Sequence, residues 1–271
     1  AMAHNAEQMI QAIARARSDR ADMIVFAEMA LTGYHLEDAL LQSDVQSQVR
    51  HFVHEVGRHS EGIWVVFGAI DWQQDDCFNV LECWYQGVPH ARYCKQQLPN
   101  RDIFDEARYF KSGRPDQPDQ RITIAGVRIG FLICEDIWTH SVVQALSVHS
   151  LDFVIVINAS PFSKQKYQRR IACLQSVSQT LSAGILSVNL VGGQDEWVFD
   201  GGSMALDANG QCVMEASRFE TDYGWIDWQI ASRIWQVSDR RLLPHRAVEA
   251  NQSTNEIEAC YQAIILGLRD Y

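Results

Sequence analysis

The chain has 271 residues, of which 47% are hydrophobic and 21% charged, a balance that supports one large core or two smaller ones and excludes a disordered, collagenous or coiled-coil chain. With 23 Lys and Arg against 34 Asp and Glu, the formal charge is −11, a sign that repels nucleic-acid backbones and anionic lipid. Seven cysteines are scattered without a C-x-x-C pair, which argues for a reducing compartment, no disulfide framework and no metal site.

The first predicted element is a helix over Ala6–Arg17, where Met9, Ile10, Ile13 and Ala14 recur at helical spacing. A buried strand, Met23–Phe26, follows. The same alternation predicts a helix over Leu40–Val56 before a strand at Ile63–Phe67, and a helix over Ile137–Val148 before Phe153–Ile157. A fourth helix, Lys164–Leu181, precedes a strand at Ile185–Asn189.

Hairpins are expected where Gln86-Gly87 separates Asn79–Tyr85 from Arg92–Gln96, and where Ala125-Gly126 separates Arg121–Ile124 from Val127–Ile133. A third should turn on Asp207–Gly210, between Met204–Leu206 and Cys212–Met214. Helices between apolar strands mean α/β, and the hairpins make the sheets mixed; two such sheets face to face, with helices outside, would absorb the strands. Residues 1–230 read as one domain. Residues 231–271 read as an arm or connector, in which Glu256–Leu268 places Ile257, Tyr261, Ile264, Ile265 and Leu268 on one helical face that needs a partner. No apolar run reaches the ~20 residues of a membrane helix and no signal-peptide pattern opens the chain, so a cytoplasmic protein is expected.

Three reactive groups stand where apolar strands stop: Glu28, Lys95 and Cys134. A carboxylate leaving a core is a candidate general base, a cysteine with a lysine nearby is a candidate nucleophile through a stabilised thiolate, and the lysine with the Glu135 N–H can support an oxyanion. Singly, each has an ordinary structural reading: a buried Cys as a small hydrophobe, a Glu as a cap, a Lys as a solvated charge.

Taken together, Phe26-Ala-Glu28-Met-Ala-Leu-Thr-Gly-Tyr34, Lys95-Gln-Gln-Leu-Pro-Asn100 with Phe104-Asp-Glu106, and Gly130-Phe-Leu-Ile-Cys134-Glu-Asp-Ile-Trp138 resemble the three signature segments of the carbon–nitrogen hydrolase (nitrilase) superfamily. Along with Asn158-Ala-Ser-Pro-Phe162, Val188–Glu196 and Phe199–Ser203, they are similar to the glutaminase domain of bacterial glutamine-dependent NAD+ synthetases. The resemblance implies a nitrilase-type α-β-β-α four-layer sandwich, with Glu28 as general base, Lys95 as stabiliser of the tetrahedral intermediate and Cys134 as nucleophile. Glu106 would be the superfamily's second glutamate, or else a helix-start charge. Glu135, Trp138, Ser160 and Lys166 would contact L-glutamine, with Glu135 on its ammonium and Lys166 on its carboxylate; a helix N-terminal charge and a solvated helix residue are the structural alternatives for those two.

Three departures stand out. Where many relatives read Leu-Pro-Asn-Tyr, this chain has Leu98-Pro-Asn100-Arg101, so Arg101 meets the substrate carboxylate or faces solvent. No strand of the Ala-Gln-Leu type precedes Ala1-Met2-Ala3-His4. No Ser-Gly-Gly-x-Asp-Ser phosphate loop occurs, so ATP and Mg2+ are expected only in a synthetase domain absent from this chain, while Tyr261–Tyr271 resembles the helix that opens that domain. Implied partners are L-glutamine, that synthetase domain and further copies of the chain, with no nucleic acid or membrane. A free-standing ω-amidase or carbamoylase and an inactive interaction module are the alternative readings.

Overall fold

The structure, a computed structural model, describes residues 1–34, 36–100, 104–117, 120–237 and 256–271. Two compact units are present: residues 1–122 with 131–142, and residues 123–130 with 143–271.

In the first unit, Ala6, Met9, Ile13 and Ala16 are all buried along one face of helix α1 (Met2–Ser18), as their three- and four-residue spacing requires. Strand β1 (Met23–Val25) follows, then a 3-10 helix at Glu37–Leu41 and helix α2 (Ser43–Arg58), which packs on α1. The helix expected over Leu40–Val56 is thus split at Gln42, whose extended backbone (φ −88°, ψ 126°) lets Ser43 begin a new one.

Strands β2 (Trp64–Gln73), β3 (Asp76–Tyr85) and β4 (Val88–Cys94) complete a sheet in the order β1-β2-β3-β4. β1 is parallel to β2, and the other pairs are antiparallel. β2 outruns the strand expected at Ile63–Phe67 because it pairs with β3 out to Gln73 and Asp76. Gln86 and Gly87 both take positive φ (54° and 74°), the mirror-image turn that a two-residue hairpin needs. α2 lies close to the sheet at Gly57, where an added Cβ would meet the Trp84 ring at 2.4 Å.

β5 (Arg121–Ile124) and β6 (Val127–Ile133) turn on Ala125 and Gly126, again both at positive φ. β6 starts in the second unit and ends in the first, where it delivers the chain to Cys134. The predicted helix over Ile137–Val148 breaks at Thr139, between a 3-10 helix at Cys134–Trp138 and helix α3 (His140–Ser147).

In the second unit, β7 (Phe153–Asn158) is buried at every position, crosses over through helix α4 (Lys166–Leu181) and pairs in parallel with β8 (Gly184–Asn189). After a hairpin of β9 (Val191–Gln194) and β10 (Trp197–Asp200), strands β11 (Met204–Leu206) and β12 (Cys212–Glu215) extend a six-stranded sheet in the order β12-β11-β8-β7-β6-β5. A last hairpin pairs β13 (Ile226–Gln229) with β14 (Ile234–Val237). It crosses residue 230, where the sequence texture changes: the Trp235 ring packs at a tilt 4.7 Å from that of Phe153, and Arg233 reaches Asp152 at 2.6 Å.

Helix α5 (Glu256–Asp270) packs on β9 and β10. Its inward face differs from the one the apolar stripe predicts. Ala259, Ala263 and Leu266 are buried, whereas Ile257 (75%), Tyr261 (57%), Ile264 (61%) and Leu268 (74%) are exposed. The reason is close approach. An added Cβ on Gly193 would lie 2.9 Å from Gly267 Cα, and Asp270 accepts the Gly193 N–H at 2.8 Å, so only the small-residue face fits.

Candidate active site

All three strand-end residues fall in the first unit. Glu28 follows β1 on a segment pinned to β2, since Gly68 donates to the Ala27 carbonyl at 3.1 Å. Gly68 has no room for a side chain. A Cβ there would sit 2.3 Å from Met29 N and 2.5 Å from Glu28 Cα, so the absence of one lets the backbone carry Glu28 across the sheet. Lys95 directly follows β4; its N–H donates to the Asn79 carbonyl at 2.9 Å and its carbonyl accepts from Gly113 at 2.7 Å. The amide of Gln117 brackets the preceding residue, accepting the Cys94 N–H at 2.7 Å and donating to its carbonyl at 2.8 Å.

Lys95 Nζ donates to Glu28 Oε1 at 2.8 Å and to Glu106 Oε1 at 2.7 Å, and none of the three side chains is more than 1% exposed. Asn79 Nδ2 donates to Glu28 Oε1 at 2.7 Å, and the Tyr34 hydroxyl to Glu106 Oε1 at 2.7 Å. An ammonium between two carboxylates satisfies two of its three N–H groups and leaves the third for another acceptor. Burial opposes the charge on Lys95, but Glu106 and Glu28 outweigh it and hold the ammonium well above its ordinary value. Burial, reinforced by Glu28, raises the Glu106 carboxyl against the pull of Lys95. Glu106 Oε2 and Asn79 Oδ1 are buried with no hydrogen-bond partner.

Cys134 opens its 3-10 helix at φ 44°, a left-handed backbone that is costly for a residue with a Cβ and recurs at functional turns. Its thiol is pushed well above the usual range, by burial first and then by Glu28, with Lys95 pulling the other way. The sequence suggests a lysine-stabilised thiolate. In the fold, desolvation and the neighbouring carboxylate win, and the resting group is a thiol with a carboxylate beside it.

Glu106 therefore joins the cluster rather than serving only as a helix-start charge. Glu135 is buried beside Cys134, where its charge also raises the thiol, and Trp138 is half-buried at the end of the same turn. Ser160 and Lys166 belong to the second unit. There, Asn189 brackets the Ser160 peptide, accepting its N–H at 2.9 Å, and the buried Ser160 hydroxyl has no partner; Lys166 is half-buried at the start of α4. Arg101 lies outside the described residues. Sequence reasoning missed Tyr34, Asn79 and Gln117. Tyr34 stands inside the first motif with nothing in the pattern to mark its hydroxyl, while Asn79 and Gln117 carry no local signal.

Among the described residues, no cluster of three or more His, Cys, Asp or Glu is arranged to hold a metal ion, and no helix is long and apolar enough to cross a membrane.

Fold and site together define a mixed α/β protein with a cysteine set beside a buried glutamate–lysine–glutamate cluster. The chain belongs to the carbon–nitrogen hydrolase family, whose model matches residues 1–233. It is 33% identical over 273 residues to the glutamine-dependent NAD(+) synthetase of Xylella fastidiosa (all of this chain, 48% of the relative). To that of Acinetobacter baylyi it is 30% identical over 268 residues (98% and 47%). The chain thus spans about half the length of the curated relatives it matches. Among solved structures, the glutamine-dependent NAD+ synthetase of Acinetobacter baumannii in complex with ADP matches with a TM-score of 0.87 at 30% identity, over 100% of this chain and 49% of that one. An amidase of the nitrilase superfamily from Nesterenkonia AN1 matches at 0.71 and 22% identity, over 80% of this chain and 81% of that one, a likeness of fold. The fold class expected from the sequence, the nitrilase-type α/β fold with mixed sheets, is the one found.

Proposed function

We propose that this chain is the glutaminase part of a cytoplasmic glutamine-dependent NAD+ synthetase, hydrolysing the side-chain amide of L-glutamine to glutamate and ammonia. The observation that carries the reading is the buried Glu28–Lys95–Glu106 cluster beside Cys134, on a chain similar along its whole length to synthetases of that name. Glu28 takes the thiol proton as sulfur attacks the amide carbon. The remaining N–H of Lys95 and the Glu135 backbone N–H meet the oxyanion. The proton passes from Glu28 to the leaving nitrogen, ammonia departs and a thioester remains. A water then gives its proton to Glu28 and attacks the thioester, releasing glutamate and restoring the thiol.

In this reading the residues the resemblance implies, Glu135, Trp138, Ser160 and Lys166, contact the amino acid, and Arg101 either meets its carboxylate or faces solvent. ATP and Mg2+ belong to the synthetase half of the longer polypeptide, which would spend the ammonia on amidating nicotinate adenine dinucleotide. Residues 231–271 lead towards that half. The exposed apolar face of α5 supports association with it and with further copies of the chain.

The test is incubation with a diazo-ketone analogue of glutamine, with mass spectrometry of the Cys134 peptide and ammonia release from glutamine, asparagine and an N-carbamoyl amino acid in parallel. An adduct on Cys134 and preference for glutamine are expected. No adduct, with none gained on adding a synthetase-domain partner, refutes the reading; preference for the carbamoyl compound indicates a free-standing amidase instead.

A further inference from the structure

Asp136 lies two residues beyond Cys134 and is fully buried, yet it belongs to none of the ion pairs above. Its carboxylate is filled by four donors. Oδ1 accepts the backbone N–H groups of Gln96 (3.1 Å) and Gln97 (2.8 Å), and Oδ2 accepts the Ile133 N–H (3.0 Å) and the Tyr93 hydroxyl (2.8 Å). The Gln96 side-chain amide donates in turn to the Tyr93 oxygen at 3.1 Å. Ile133 immediately precedes the nucleophile, and Gln96 and Gln97 immediately follow the lysine. One side chain therefore joins the two segments whose relative placement sets the distance from sulfur to ammonium. With both oxygens occupied and no exposure, Asp136 has no lone pair aimed at a substrate.

We propose that Asp136 is a positioning residue that fixes the register between the Cys134 turn and the Lys95 segment, and that this brace must be ionised for Cys134 to react. The inference rests on the cysteine-hydrolase reading and adds a residue to it. A rigid clamp suits the task because an error of about 1 Å in a reacting group costs roughly 100-fold in rate, and the left-handed backbone at Cys134 has to be held from outside. Only the carboxylate accepts four donors; its protonated form carries a proton of its own and must release one of them. The titratable groups facing it are Tyr93, on β4, and the Lys95 ammonium. Burial pushes Asp136 up to about 6, against the pull of the Ile133 and Gln97 N–H groups and Tyr93. Burial and Asp136 together hold the Tyr93 hydroxyl well above its ordinary value, so it stays a donor.

The full chain and the variants Asp136→Asn and Tyr93→Phe are compared with two electrophiles: iodoacetamide, which reads Cys134 reactivity whatever the substrate, and the diazo-ketone glutamine analogue. An asparagine offers one acceptor oxygen and turns an N–H group towards either the Ile133 side or the Gln96–Gln97 side, cutting the brace at one end without emptying the site. The limiting alkylation rate of D136N should fall about 100-fold, with the half-saturating analogue concentration within about threefold of wild type. Tyr93→Phe, which loses one donor of four, should fall about tenfold. The wild-type rate should drop as pH is lowered through about 6, a limb absent from D136N. A wild-type limiting rate in D136N, or a loss seen only as weaker saturation, overturns the proposal. Should D136N fail to fold, Tyr93→Phe decides, and an unchanged rate and pH limb there overturn it too. If wild-type Cys134 reacts with iodoacetamide but not with the analogue, the glutaminase reading fails, while the iodoacetamide rates of the variants still decide the role of Asp136.

Discussion

Replacing Lys95 by methionine keeps most of the side-chain volume and removes the cation between Glu28 and Glu106, whose Oε1 atoms lie 2.8 and 2.7 Å from Nζ. With all three groups at most 1% exposed, solvent cannot replace the lost charge. Removing one partner of such a buried cluster costs about 3–5 kcal/mol, which for a chain of this size is roughly 5–15 °C in Tm. The pH dependence distinguishes this from a packing defect. In the wild type the Lys95 value is raised, so its contribution is fully present below the unfolded-state value of about 10.4 and flat across pH 5–8. In the variant the pull of Lys95 is gone, so burial and Glu28 raise the Glu106 carboxyl further. Its favourable contribution is present below the unfolded-state value of about 4.3 and is lost as pH rises through the folded value. Differential scanning calorimetry from pH 5 to 8 should show the variant furthest below wild type at pH 8 and recovering towards pH 5, with no alkylation of Cys134 by the glutamine analogue. A deficit that does not change with pH, or one under 2 °C by the same conversion of less than about 1 kcal/mol, would refute the idea that Lys95 neutralises this pair.

Other expectations follow from the same geometry. Gly68→Ala forces a Cβ to within 2.3 Å of Met29 N and must displace Glu28, so Cys134 alkylation should fall about 100-fold; a wild-type rate would show that Glu28 does not need this seat. Tyr34→Phe removes a donor from Glu106 Oε1, and urea unfolding should read a loss of about 1.5–3 kcal/mol, the range for hydrogen bonds to charged groups. Gly193→Ala, whose Cβ would meet Gly267 Cα at 2.9 Å, should loosen α5, seen as faster hydrogen exchange across residues 256–270; unchanged exchange would place the anchoring of α5 elsewhere.

The amino-acid sequence by itself marks most of the strands and the two-residue hairpins, because alternation and turn chemistry act over a few residues: Gly87 and Gly126 supply the positive φ that such turns require, and Gln86 and Ala125 follow them into it. It also marks Glu28, Lys95 and Cys134, because the segments around them resemble the signature segments of the family. What needs the tertiary structure is everything set by approach across the fold. Glu106 acquires its place only when Lys95 is buried against it, and Asn79, Tyr34 and Asp136 become partners over separations of 51, 72 and 43 residues. The thiol of Cys134 is raised rather than lowered because burial and Glu28 outweigh one lysine, a balance of desolvation and charge that no local pattern contains. Helix α5 shows the same division: periodicity places the helix, but the glycine contact at Gly193 and Gly267 selects its small-residue face for burial and leaves the apolar stripe outside. Local chemistry decides what a segment becomes, and the packing of distant segments decides which of its groups are charged, buried or free to react.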